Sequence, residues 1–421
     1  MDKKLIKIFL FAFIFRLILA FVVWHPDVNN HIDWGIRFWE YGPEKFYSAN
    51  VWSFTWPNQP PGSIYIFAGI RKLFELIFAI FWWINIKVPP FPSGIITYFE
   101  SNLYPALLKL PAIFADLGIA YLIYKFLNKH AKKFATFGAV LFLINPVTWY
   151  NSSVWGQTDS VVNFLALLAF YFLLQKKLFF AIFSFVLSLY IKASLLIFLP
   201  IFVIVIWRQR YKISEIVKTI VFCLVPIALL TLPFSSGEPS SWLYELFKDK
   251  IFKQQLHVIT ANAFNIWAAI VGIHEKPDSL MFGPLTYQTW GYILFSLSFI
   301  PALYIVYKKQ DIKSLFWALS ITAFSAFILL TNMHERYLYP LFPYLTILVA
   351  IRSISLYPYI LISLISLLNL YHFWWVPKID FLVSVLSAPD RLAPRIFGLI
   401  NFFLFIYLYS HFLRLSSAKK I

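Results

Sequence analysis

The chain has 421 residues, of which 60% are hydrophobic, 21% aromatic and only 13% charged, with a formal net charge of +17. Charge this sparse cannot coat a soluble surface of that size, and the apolar runs are long and continuous, so spanning helices are expected and a β-barrel is not. The basic excess fits cytoplasmic loops of a membrane protein, with no basic stripe to suggest nucleic acid, and a single cysteine, Cys223, excludes an internal disulfide framework and a Cys-based metal site.

The opening stretch "MDKKLIKIFLFAFIFRLILAFVV" has a positive start and an apolar core, as a signal peptide would. No small-residue cleavage pattern follows, so an uncleaved first helix is expected, with its start in the cytoplasm. Basic clusters at Lys3 and Lys4, 125–133, 175–177, 208–212, 308–313 and 417–420 mark the other cytoplasmic ends. The span 103–124 ends at one of these clusters, so its start lies outside, as does the end of the first helix. The apolar run 63–86, broken by "RKLFE" at 71–75, then cannot cross and is expected to lie in the interface, within a first outer loop covering 25–102.

Further spans are expected at 134–150, 160–174, 178–191, 194–207, 216–234, 287–307, 313–331, 337–351, 354–374 and 395–414, making about twelve, with both termini inside. Only the short polar turn "YIKAS" divides 178–191 from 194–207. Other outer segments are 235–286, the second large one, and 375–394. With no internal repeat and no soluble domain, residues 1–421 read as one all-α polytopic unit in the cell membrane.

This topology gathers the unusual polar residues on the outer face. They are "WHPDVNNHIDWG" (24–35), "WPNQPPG" (56–62), "NSSVWGQTDS" (151–160), Lys192 and "TNMHERYLYP" (331–340). Taken singly, Asp27 or Asp159 reads as a helix cap, His334 as a structural histidine and Lys192 as a snorkelling lysine. Ionisable groups at membrane depth are costly, and their coincidence on one face points to a site.

The runs "HPDVNNHIDWGIRFWEYGPEKFY", "PNQPPGSIY", "LLKLPAIFADL", "NPVTWYNSSVWGQTDS" and "MHERYLYP" resemble the GT-C superfamily of polyprenyl-phosphate-sugar-dependent glycosyltransferases. The likeness covers most of 20–345 and is nearest to prokaryotic relatives of the second mannosyltransferase of GPI-anchor assembly. It is more distant to the glucosyltransferases of the N-glycan precursor. The resemblance implies two juxtamembrane helices in the first outer loop, with Asp27 as catalytic base and Asp33 as the fallback. It also implies His334, Glu335 and Arg336 near the donor phosphate. The sequence departs from the family where an acidic residue often precedes the double proline, since Asn58 stands there, and Asp159 has no counterpart in the more distant glucosyltransferases.

Moving a sugar from a lipid phosphate to a hydroxyl needs a base for the acceptor proton and positive or hydrogen-bonding groups for the departing phosphate. One carboxylate suffices for inversion; a retaining double displacement would need a second as nucleophile. Asp27 is therefore the expected base, Arg336, His334 and Lys192 the phosphate contacts, and Gln157, Trp155 and Asp159 further substrate contacts. The expected partners are a polyprenyl-phosphate-linked hexose, such as mannose, a glycan, lipid or protein acceptor, and the bilayer. His25, His31, Asp27 and Asp33 could ligate a divalent ion, but a hydrogen-bonded loop is the favoured reading, so no cofactor or metal is expected. No Gly-rich phosphate loop supports a nucleotide. The alternative is a transporter or flippase of lipid-linked saccharides, which would favour repeated halves and midplane charges.

Overall fold

The computed structural model describes residues 3–49, 52–253, 256–309 and 311–417. About 78% of the chain is helical. The first apolar run forms α1 (Lys3–Val22), and the polar cluster that follows starts α2 (Val28–Phe46), kinked where Gly42 takes φ 73° before Pro43. Pro61, with no N–H to lose, begins α3 (Pro61–Lys87). The "RKLFE" stretch interrupts the apolar run but not this helix. Arg71 and Lys72 both pair with Glu75, at 2.9 and 2.7 Å, and all three are good helix formers at mutually supporting spacings. Then α4 (Gly94–His130) extends beyond the expected 103–124 at both ends.

The chain from 135 is broken by its own sequence. Asn145–Pro146 stops α5 (Ala135–Ile144), because proline disfavours helical backbone in the residue before it. A single turn, α6 (Pro146–Trp149), runs into a π-helical turn, Tyr150–Trp155. Next come α7 (Asp159–Leu174) and α8 (Leu178–Ile191), with Lys192 in extended backbone before a 3₁₀ segment and α9 (Leu199–Arg208). After α10 (Ile213–Thr231), the second outer segment folds as α11 (Pro239–Glu245), a π turn, α12 (Ile266–Val271) and a hairpin of β1 (Met281–Phe282) with β2 (Leu285–Thr286). The remainder is α13 (Tyr287–Lys308), α14 (Ile312–Leu329), α15 (Leu341–Ala350), α16 (Leu356–Tyr371), α17 (Asp380–Leu386) and α18 (Leu392–Ser417).

Every expected span is thus largely helical, but the count of twelve crossings is not met by length. Among the described residues six helices are long and apolar enough to cross a membrane: α1, α4, α10 with its 3₁₀ extension, α13, α14 and α18 with the turn before it. Four more stretches, 159–174, 178–191, 193–208 and 356–371, are apolar but shorter. The shortfall arises because Asn145 divides the expected span 134–150, and because several helices flanking the polar breaks already read in the sequence are short. The C-terminal basic cluster lies largely outside the described residues.

Burial sorts these helices into a centre and a rim. All ten residues of α15 are buried, as is α14 from Ser314 to Leu329, whereas α1, α10, α13 and α18 turn Phe11, Phe222, Leu297 and Phe403 outward. Such apolar outer faces suit lipid rather than water, as in a membrane-embedded all-α protein. Inside, Arg16 donates to Asp116 (3.3 Å), to the Leu143 carbonyl (3.0 Å) and to Thr148 Oγ1 (3.2 Å). Tyr339 donates to the other oxygen of Asp116, and Ser160 bonds the Tyr339 hydroxyl. A buried charge pair is tolerable only when its remaining bonds are satisfied, and these bonds tie α1, α4 and α7 to the segment before α15.

One further contact fixes levels along the bundle. Lys109 Nζ donates to the Ala20 and Val23 carbonyls, so the end of α1 lies beside the middle of α4. The first part of α4 extends past that end and pairs there with α3, through Phe74 on Tyr104 (5.2 Å) and Phe81 on Phe99 (4.8 Å). The start of α3 meets the end of α8, where Ser63 Oγ donates to the Ile191 carbonyl. Helices α2, α3 and the start of α4 therefore assemble at one end of the bundle.

Candidate functional site

At that same end, four chain segments meet around Asp27. It occupies the position before α2 but caps nothing with its side chain. Instead its Oδ2 accepts from Trp155 Nε1 (3.0 Å) and Gln157 Nε2 (2.9 Å), while Oδ1 takes no hydrogen bond among the described residues. Both donors come from the π turn and the loop after it. Gly156 ends that turn at φ 71°, and a Cβ there would meet Lys109 Cγ at 2.9 Å, so the turn needs glycine for both conformation and space. The Asp27 amide donates to His25 Nδ1 (3.1 Å), and the His25 ring stacks on Trp155 (4.1 Å) with Trp374 against its edge (4.4 Å).

The cations sit beyond Asp27. Lys192 follows α8 and donates to Asp159 Oδ1 at 2.6 Å. Arg336, from the turn before α15, lies 3.9 Å from Asp159 Oδ2 and 3.2 Å from Glu335 Oε1, with its guanidinium over Trp155 and Tyr337. Burial pushes the Asp27 carboxyl up, but Arg336 and the Trp155 hydrogen bond hold it below the usual carboxylate value, so it is ionised at neutral pH. Burial pushes His25 and His334 down to about 3 and His31 to about 4, with Arg336 adding to each, so all three rings are neutral. His334 therefore offers a hydrogen bond but no charge. Its backbone bridges Ala261 and Asn262 of the second outer segment, and its ring meets Tyr337. Burial raises Glu335 to about 7 in spite of Arg336.

Asp27, Trp155, Gln157, Asp159, Lys192, Glu335 and Arg336 are linked by these contacts, with His334 adjoining them. Asp33 is not part of the cluster. Its two oxygens are taken by the Ser53 amide (3.0 Å), Ser53 Oγ (3.1 Å) and Arg37 Nε (3.3 Å), which pin the loop after α2. Asp159 reads as the partner of two cations, so its bond to a substrate would compete with Lys192. His31 stacks on Phe67 (4.2 Å), away from any ligand geometry with Asp33, and no group of three or more His, Cys, Asp or Glu converges to hold a metal among the described residues. Between α2, α3 and α4 lies a cavity of about 940 Å³ with Ile36, Phe74, Phe78 and Trp82 on its walls and Arg71 and Glu100 at its polar side.

Several participants were passed over in the sequence. Lys109, Asp116 and Arg16 are charges inside apolar spans, a signal that by itself marks a structural or functional role. Trp374 carries no such signal, because one more tryptophan among 16 is not distinctive. Buried polar atoms without a hydrogen bond in the protein mark the same region: His25 Nε2, Gln157 Oε1 and Trp374 Nε1, with Arg336 Nε held only by its long ion pair to Asp159. Orphaned groups of this kind are costly unless something polar reaches them.

The fold and site define an all-α membrane-embedded protein with three carboxyl groups, Asp27, Asp159 and Glu335, and two cations, Lys192 and Arg336, held at one end of its helices. No protein-family model matches the chain, and no curated protein does.

Proposed function

We propose that this protein is a membrane glycosyltransferase that moves a hexosyl group, mannose among the candidates, from a polyprenyl-phosphate carrier to an acceptor hydroxyl at the extracytoplasmic face, with inversion. The observation that carries the reading is the asymmetry of Asp27: one oxygen fixed by Trp155 and Gln157, the other without a hydrogen bond among the described residues, with Lys192 and Arg336 held nearby on Asp159. A general base needs a free lone pair in a fixed orientation, and a phosphate leaving group needs nearby cations. In the proposed step Asp27 takes the acceptor proton as the acceptor oxygen bonds to the anomeric carbon. The bond from that carbon to phosphate breaks, and the polyprenyl phosphate leaves against Arg336 and Lys192, with His334 as a neutral hydrogen-bonding group. One carboxylate serves a single displacement. A carrier chain would find apolar surface in the cavity beside α3, in keeping with a donor held on lipid.

The test begins with lipids that co-purify with the protein, identified by mass spectrometry, followed by transfer assays with matching polyprenyl-phosphate sugars. Asp27→Asn should keep the fold and donor binding and lower turnover by about 100-fold or more. His334→Ala and Arg336→Ala should weaken donor binding as well. Normal turnover by Asp27→Asn would refute the base assignment. Transport of a lipid-linked saccharide with no glycosidic product from the wild type would replace the enzyme reading with a flippase.

A further inference from the structure

A second cavity, of about 620 Å³, opens at the other end of the bundle, where the chain passes from α4 into α5, from α15 into α16, and along the last part of α18. Its wall includes Phe134, Arg352, Ser353, Ser355, Tyr407 and His411, and no Asp or Glu lines it. Two cations converge on one of its rings. Lys133 Nζ lies 4.9 Å and Arg352 Cζ 5.2 Å from the centroid of Phe134. Neither has a carboxylate partner among the described residues. Like charges held near one another without an anion repel. Ser353 is anchored as acceptor of Trp317 Nε1 (2.8 Å), which fixes the turn that presents Arg352. Ser355 gives α16 no side-chain cap, so the first amides of this sixteen-residue helix add partial positive charge at the same wall.

We propose that this cavity binds a phosphate group carried on an anionic membrane lipid. A phosphate supplies the missing negative charge and enough acceptor oxygens for Arg352 and the serine hydroxyls on the wall, with the Lys133 charge adjoining over Phe134. The Phe137, Val349 and Leu356 side chains on the same wall offer apolar contact to the glycerol and first methylenes. Basic pockets between helices are the general means by which membrane proteins hold anionic headgroups. The proposal is independent of the transferase reading, since none of its residues belongs to the candidate site.

Purified full-length protein in phosphatidylcholine nanodiscs, titrated with phosphatidic acid and followed by native mass spectrometry, tests it. Inorganic phosphate is titrated in parallel. The wild type should retain phosphatidic acid over phosphatidylcholine, and Arg352→Asn should weaken that retention about tenfold, the effect of one charge-assisted contact. Asparagine suits the left-handed backbone of Arg352 (φ 57°), so the variant should melt as the wild type does. Lys133→Gln, on an exposed turn, should weaken retention independently. Equal retention by wild type and both variants, or no preference over phosphatidylcholine, overturns the site. Inorganic phosphate bound as tightly as phosphatidic acid would overturn the lipid assignment.

Discussion

Glu335 has almost no contact with solvent, 3% exposed, and among the described residues its one ion pair is with its neighbour Arg336. Burial raises its carboxyl from the ordinary 4.5 to about 7 in the folded protein. A carboxyl with a raised folded value binds its proton more tightly in the native state, so stability is lost as pH rises from about 4.5 and the loss is complete above about 7. Glu335→Gln removes the ionisation. It should raise stability at pH 8 by about 3 kcal/mol, seen as a higher melting temperature, and leave it nearly unchanged at pH 4.5. A variant that melts lower than the wild type at pH 8 would show that the Arg336 pair outweighs burial. Residue types at this scale were legible in the sequence, since Asp27, Lys192 and Arg336 stand out as charges among apolar residues. Their bonds were not, because a capping aspartate and one held by an indole look alike until the chain is folded.

Elements were read well where apolar runs are uninterrupted and poorly where one polar residue divides them. Asn145 ends a helix inside the expected span 134–150, because the proline after it disfavours helical backbone, whereas the break at Lys192 was legible as the polar turn "YIKAS" and α8 ends where the sequence placed it. In α3 the charges that interrupt the apolar run are intrahelical partners, and the helix continues through them. Close packing of α2 is equally invisible in sequence. A Cβ on Gly35 would lie 2.1 Å from the Tyr104 hydroxyl oxygen and 2.9 Å from the Phe67 carbonyl oxygen, and that backbone atom cannot move aside cheaply. Gly35→Ala should therefore destabilise by about 1–3 kcal/mol. Gly69→Ala, with nothing within 4 Å, should stabilise α3 by about 0.5–1 kcal/mol through helix propensity. Thermal melts of the two variants decide the matter, and equal shifts would mean that α2 does not seat against α3 and α4 as described.

The whole molecule poses one topological question, which α3 decides. At 1.5 Å per residue its 27 residues span about 40 Å, enough to cross a bilayer core of about 30 Å. Two features oppose a crossing. Arg71, Lys72 and Glu75 sit near its middle, where charge is expensive in hydrocarbon. More directly, its partners lie at the site end: Ile191 at its start and the first part of α4 along its length. Its Leu76, Ile80, Trp83 and Ile86 remain uncovered by protein, as suits a helix lying against the membrane surface. Ser48 and Ser93 flank α3, and both are exposed, so cysteines there should not disturb the fold. Cys223 is buried and gives little background. Both introduced cysteines should react with an impermeant thiol reagent in intact cells. If Ser93→Cys reacts only after permeabilisation while Ser48→Cys reacts before it, α3 crosses the membrane. The start of α4 would then face the cytoplasm, and the Asp27 site could no longer share one membrane face with the long loop that begins it.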